Sequence, residues 1–172
     1  MKMTMPMTST TDVRFSPTTW RVPPALALGA TAALADSPHF IKASATINSS
    51  GQLVCSFKEA GLGTTLRTAN ISCAADATAT YQCWNNGGKH PQAGNKETVG
   101  GPVSNGEAFP VRNGQTTGSI TVSPPGQGDF SCPNGQTVFL EDVSYTNIVL
   151  SGEGATADVP GTLTATGLHV AV

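Results

Sequence analysis

Cys73-Ala-Ala-Asp-Ala-Thr-Ala-Thr-Tyr-Gln-Cys83 is the stretch that decides the fold. In an extended strand, residues two apart share a face. Ala77, Ala79, Tyr81 and Cys83 therefore line one side, and Thr78, Thr80, Gln82 and Trp84 the other. One face is apolar and one is hydroxylic, which is the pattern of a strand with one side on a core. The stretch also holds two of the four cysteines and hands Trp84 to a polar, glycine-rich segment.

The remaining cysteines repeat the pattern. Leu53 precedes Cys55 by two residues, Ile71 precedes Cys73, Tyr81 precedes Cys83 and Phe130 precedes Cys132. Each thiol thus shares a core face with a bulky neighbour, where structural disulfides sit. Metal-ligating C-x-x-C spacing is absent, and no metal or cofactor is expected. Four cysteines allow three connectivities. Cys55 and Cys73 lie on successive strands, so the expected pairs are Cys55–Cys73 and Cys83–Cys132.

Outward from this centre, strand patterns dominate and no window has a helical period. His39–Ile47 alternates, with Ile41, Ala43, Ala45 and Ile47 expected inward. Asn48-Ser-Ser-Gly51 is turn chemistry, and Gln52–Phe57 is the next strand. Asn85 to Gly106 reads as a long loop, with a short strand candidate at Glu97-Thr-Val99. Asn113-Gly114 opens a strand over Gln115–Val122, and Asn134-Gly135 opens another over Gln136–Leu140. Asp129–Cys132 is a brief strand candidate. A bulge at Glu141-Asp142 is expected to switch faces before Val143–Leu150, and Thr162–Val172 closes the domain. About eight or nine short strands with turns between them predict an all-β, antiparallel Greek-key sandwich, with a barrel as the alternative. Ala79-Thr-Tyr-Gln-Cys83 resembles the strand signature of immunoglobulin domains in which Tyr stands two residues before Cys. The other cysteines are too close for the antibody-type pair and no Trp lies between Cys55 and Cys83, so the expectation is an Ig-like sandwich and not an antibody-type domain.

The chain has 172 residues and a formal charge of −2. Lys2, Arg14 and Arg21 precede an apolar run, Val22 to Ala35, that ends in Ala33-Leu34-Ala35. This is read as a signal peptide over residues 1–35, cleaved before Asp36, with a single domain over 36–172. The run is too short to span a bilayer, and a soluble exported protein is expected. Beyond residue 35, six basic residues face ten acidic ones, scattered without blocks. That argues against a nucleic-acid partner, which needs a basic face to neutralise phosphates, and against a polybasic membrane patch. Oxidised cysteines fit export.

Several segments are similar to a group of uncharacterised small secreted β-sandwich proteins of actinobacteria. They are His39-Phe-Ile-Lys-Ala-Ser44, Cys55-Ser-Phe-Lys-Glu-Ala-Gly-Leu-Gly63, Ala75-Asp-Ala-Thr-Ala-Thr-Tyr81 with Cys83, Asn95-Lys-Glu97, Phe130-Ser-Cys-Pro133 and Val143-Ser-Tyr-Thr-Asn147. The resemblance implies export and a β fold, and brings no activity.

Trp84 is the leading candidate for a binding residue. With the alanine face on the core it would be exposed beside Asn85, Asn86, Lys89 and His90, as aromatics that stack on sugar rings are. The competing reading has the loop fold over Trp84 and bury it. Glu59 and Glu97 are weighed as a glycosidase pair and read as solvated surface charges instead. Glu141-Asp142 lacks the loop pattern of a calcium site. His39, His90 and His169 sit in no H-E-x-x-H motif, and no G-x-S-x-G or phosphate loop is present. The expected function is a secreted, non-enzymatic binding or surface-interaction protein whose partner is a polysaccharide or another extracellular protein. A small glycan-directed hydrolase and a protease inhibitor using Gly126–Pro133 are the alternatives.

Overall fold

Alternating burial along the chain builds nine strands. In a computed structural model, which describes residues 37–85 and 94–172, they are β1 (His39–Ile47), β2 (Leu53–Ala60), β3 (Thr68–Asn85), β4 (Lys96–Pro110), β5 (Gln115–Val122), β6 (Gln136–Ser151), β7 (Thr156–Val159), β8 (Leu163–Ala165) and β9 (Val170–Ala171). The signal-peptide reading of residues 1–35 lies outside the described residues. Among those described there is no helix, and none that could cross a membrane.

The strands form two antiparallel sheets. One has the order β1-β2-β5. The other runs β4-β3-β6-β7, and β8 and β9 also pair with β6. The inward side chains of both sheets meet in one core that includes Leu53, Phe57, Ile71, Ile120, Leu140 and Leu150. Burying side chains of this size stabilises by about 1.5–3 kcal/mol each.

β3 is the central strand. The alanine, tyrosine and cysteine face of the opening stretch is buried as expected, from Ala69 to Cys83. The strand is longer than its sequence pattern implied, because Ala69–Cys73 and Ala77–Trp84 are one continuous element. Both disulfides match the expected pairing. Cys55–Cys73 ties β2 of one sheet to β3 of the other, and Cys83–Cys132 ties the end of β3 to the connection after β5. Tyr81 anchors the same connection by donating its hydroxyl to the Pro125 carbonyl at 2.6 Å. Tyr145 donates to the Gly51 carbonyl at 2.8 Å and so fixes the β1–β2 turn. Burial raises the pKa of both phenols, that of Tyr145 to about 12.

Bulges account for three departures from simple alternation. In β6, Tyr81 faces Leu140 while Thr80 faces Asp142, which leaves Glu141 as the extra residue, as expected. A second bulge follows: Asp76 faces Thr146, but Ala74 faces Val149. Asn147 adopts φ 51° there and donates to Asp76 at 2.8 Å, and the buried face switches back to Ile148 and Leu150. The third lies in β1. Phe40 faces Glu59 and Lys42 faces Lys58, so Ile41 is extruded and 54% exposed rather than inward. Phe40 takes the core position instead, edge-on to Phe57 at 6.4 Å.

Two expectations about loops are corrected. The second half of the presumed loop between Asn85 and Gly106 belongs to β4, which pairs with β3 from Lys96 to Pro110. Gly100, Gly101 and Pro102 are tolerated because β4 is an edge strand whose other side has no ladder to complete. Asp129–Cys132 is not a strand but part of the connection over 123–135, held down where Phe130 and Cys132 pack against the core.

The ring chain Phe40–Phe57–Phe109 crosses the core over Gly118. A Cβ at Gly118 would overlap the Phe109 ring. Gly118→Ala is therefore expected to lower stability by about 1–3 kcal/mol in urea unfolding. Adding Phe109→Leu should recover part of that loss, and a fully additive double mutant would contradict this packing.

Candidate functional site

The outer face of the larger sheet carries the chemistry that the core excludes. Its pattern follows from the strand register. With Tyr81 and Cys83 inward on β3, Gln82 and Trp84 face out. With Val138 and Leu140 inward on β6, Phe139 faces out. Trp84 pairs with Thr137 and Gln82 with Phe139, so the two rings are diagonal neighbours on adjacent strands. β9 adds a third ring, because Phe139 faces Ala171 and His169 stands just before that strand.

The three rings form a compact corner. Phe139 and His169 stack at 4.1 Å with planes 7° apart. Trp84 meets His169 edge-on at 4.3 Å and Phe139 at 6.2 Å. Trp84 is half-buried, between the two alternatives drawn from sequence, and the His169 side chain is 47% exposed. Asn85 is exposed beside Trp84. Asn86, Lys89 and His90 lie outside the described residues.

His169 is held in place by the Glu141 bulge. Its Nδ1 lies 3.3 Å from Glu141 Oε1, and the Leu168 amide donates to the Glu141 carbonyl at 2.8 Å. The residue adopts φ 53°, an uncommon conformation for a non-glycine residue. The ring pose is thus fixed by the backbone, by a nearly buried carboxylate and by stacking.

Next to the corner the face turns polar. Asp142 accepts from the Gly167 amide at 3.2 Å and lies 3.8 Å from Lys96 Nζ. Thr80 sits between Asp142 on β6 and Thr98 on β4, and its hydroxyl is 3.2 Å from that of Thr98. Thr78, Ser144 and Thr164 form the next row. A cleft of about 220 Å³ runs along these hydroxyls and Asp142. Sequence reading found Trp84 but missed Phe139 and His169. The outward Phe139 in an alternating strand was a usable signal; the placement of His169 was not local information.

The glycosidase pairing of Glu59 and Glu97 does not form. Glu153, which adds a repelling charge at Glu59, accepts a hydrogen bond from the Asn70 amide, whereas Glu97 pairs with Tyr81. Asn70 and Tyr81 are separated by roughly 35 Å of β3 at about 3.3 Å per residue, against the roughly 5–10 Å a glycosidase pair needs. Glu97 is exposed as expected, but Glu59 is fully buried, which corrects its reading as a surface charge. Among the described residues no group of three His, Cys, Asp or Glu side chains could hold a metal ion. No family model, curated protein or solved structure matches the chain.

Proposed function

We propose that this protein is a secreted, non-enzymatic binding domain whose outer sheet face engages a polysaccharide, with the Trp84–Phe139–His169 corner as its apolar contact. The observation that carries the reading is the juxtaposition of that corner with the hydroxyl and carboxylate cleft at Thr80, Asp142 and Ser144. A sugar ring has apolar C–H faces and a polar hydroxyl rim. An aromatic surface beside ordered hydrogen-bonding groups complements both, and the few polar groups set orientation.

Export is supported by the two disulfides, which persist in oxidising compartments, and by the charged and apolar N-terminal pattern of the sequence. An Ig-like Greek-key architecture is supported by the strand order, with β1, β2 and β5 opposed to β4, β3, β6 and β7 and with the chain crossing between sheets after β2, β4 and β5.

The test is retention on insoluble neutral polysaccharides. Wild type is expected to be retained on at least one matrix, and Trp84→Ala to bind about tenfold more weakly through loss of ring contact, with an unchanged circular dichroism spectrum. Indistinguishable retention of the two proteins on every matrix would remove the saccharide reading.

A further inference from the structure

The outer face of the smaller sheet differs from the site just described. Its outward residues are set by the same register logic. Lys42 on β1 pairs with Lys58 on β2, and Lys58 pairs with Thr117 on β5. The next row is Ser44, Ser56 and Ser119. No outward position on these three strands carries an acidic side chain, because the only acid among them, Glu59, points inward and is buried. Arg112 joins Lys58 in a cleft of about 320 Å³ at the end of this face.

Two features mark this face as a site. Like charges directly opposite one another on neighbouring strands are destabilising, yet Lys42 and Lys58 occupy such positions. Neither they nor Arg112 make an ion pair among the described residues, although the chain as a whole carries more acids than bases. Three uncompensated cations on a hydroxyl-lined, acid-free surface are complementary to an anionic partner.

We infer that the outer face of β1, β2 and β5 binds an acidic polysaccharide, with Lys42, Lys58 and Arg112 contacting its anionic groups and the serine row its hydroxyls. The chemistry narrows the partner. Arg112 offers a planar fork for a carboxylate or an oxyanion, and the lysines supply point charges beside it. Seryl hydroxyls donate to and accept from sugar hydroxyls. A nucleic-acid partner is disfavoured because tight binding neutralises many phosphates and the outward positions of these strands carry no Phe, Tyr or Trp for base stacking. The site is separate from the aromatic corner, which lies on the other sheet, so the two surfaces are testable apart.

The experiment measures binding of the full protein to immobilised polygalacturonate, with a neutral glucan as control and at several salt concentrations. Wild type is expected to bind at low ionic strength and to elute as salt rises. Lys42→Gln/Lys58→Gln/Arg112→Gln is expected to bind about tenfold more weakly, as three exposed ionic contacts allow. Trp84→Ala should retain the polyanion binding whatever it does on neutral glucans. Lys96→Gln, which removes a cation on the other sheet, should bind like wild type. The inference is overturned if wild type does not bind polygalacturonate, if both charge variants weaken equally, or if Trp84→Ala abolishes binding while the triple variant does not. It is also overturned if the triple substitution weakens binding to single-stranded DNA but not to polygalacturonate.

Discussion

Replacing Cys83 and Cys132 together by alanine is expected to lower the unfolding free energy by about 4 kcal/mol, and replacing Cys55 and Cys73 by about 3 kcal/mol. The ordering follows from loop length in the unfolded chain. The first bridge closes a separation of 49 residues and the second one of 18, and a longer closed loop removes more unfolded-state entropy. The native roles add a second distinction. Cys55–Cys73 joins the two sheets inside the core, where both half-cystines are fully buried. Cys83–Cys132 holds the connection over 123–135 to the end of β3, where Tyr81 supplies one further hydrogen bond. Loss of the Cys83–Cys132 bridge should therefore open that connection to limited proteolysis while the sheets persist. Urea unfolding with and without reductant measures the free energies, and mapped cleavage sites locate the opening. Equal losses for the two double mutants, or no new cleavage between 123 and 135, would contradict this account.

Trp84 of the aromatic corner stands three residues beyond Tyr81, on the other side of the same strand. Tyr81 and Cys83 tie the inner face to the 123–135 connection, and Trp84 is carried outward at the strand end. Fixing the end of β3 therefore also fixes the ring that the proposed ligand would meet. The Cys83→Ala/Cys132→Ala protein, if folded, is a useful second probe of the saccharide reading, since it loosens the position of Trp84 without changing its chemistry.

How much of this was legible in sequence depends on the range of the interaction involved. Period-two alternation is local, and it located β3, β5 and the disulfide-bearing faces. The disulfide pairing followed from placing Cys55 and Cys73 on successive strands, which left Cys83 to Cys132, although Cys132 lies in a connection and not on a strand. What escaped was set by partners far along the chain. The bulge that extrudes Ile41 gives its core place to Phe40, which packs on Phe57. Gly100, Gly101 and Pro102 read as loop because local propensity cannot reveal that β4 has a long partner on one side only. Asn147 looked like an ordinary strand residue, but its short amide side chain tolerates the left-handed bulge and bonds to Asp76. In the candidate site, Trp84 stood out by type, whereas its ring neighbours come from β6 and from the residues before β9. Glu59 misled because a charged residue beside Lys58 suggests a solvated pair; strand alternation places it on the face of Phe57 and Cys55.

That buried carboxylate leads to the second large effect. Glu59 is 0% exposed and neither oxygen has a hydrogen-bond partner among the described residues. It lies between Phe40 and Thr116 on the flanking strands, and against Gly152, where a Cβ would fall 2.5 Å from Oε1. Burial raises its pKa above the ordinary 4.5. The Glu153 backbone amide, near but outside hydrogen-bond geometry, pulls it down; the Glu153 charge pushes it up; His39 lowers it slightly. The sign of the pH effect follows. Below 4.5 the group is protonated in both folded and unfolded chains and carries no ionic penalty. As pH rises through the raised folded value, the unfolded chain releases this proton more readily than the native one, and stability falls. Glu59→Met should accordingly stabilise the protein at pH 7 by about 1–3 kcal/mol, the cost of an unsatisfied buried polar group, with a smaller gain at pH 4. Glu59→Gln removes the charge alone, so subtracting its stability curve from that of wild type isolates the ionisation. The two curves should converge at acid pH and separate toward neutrality, with the Gln variant the more stable. A difference that does not change with pH would mean that Glu59 titrates alike in the folded and unfolded chains, and a Gln variant less stable at pH 7 alone would mean that the carboxylate has an ionic partner in the folded protein.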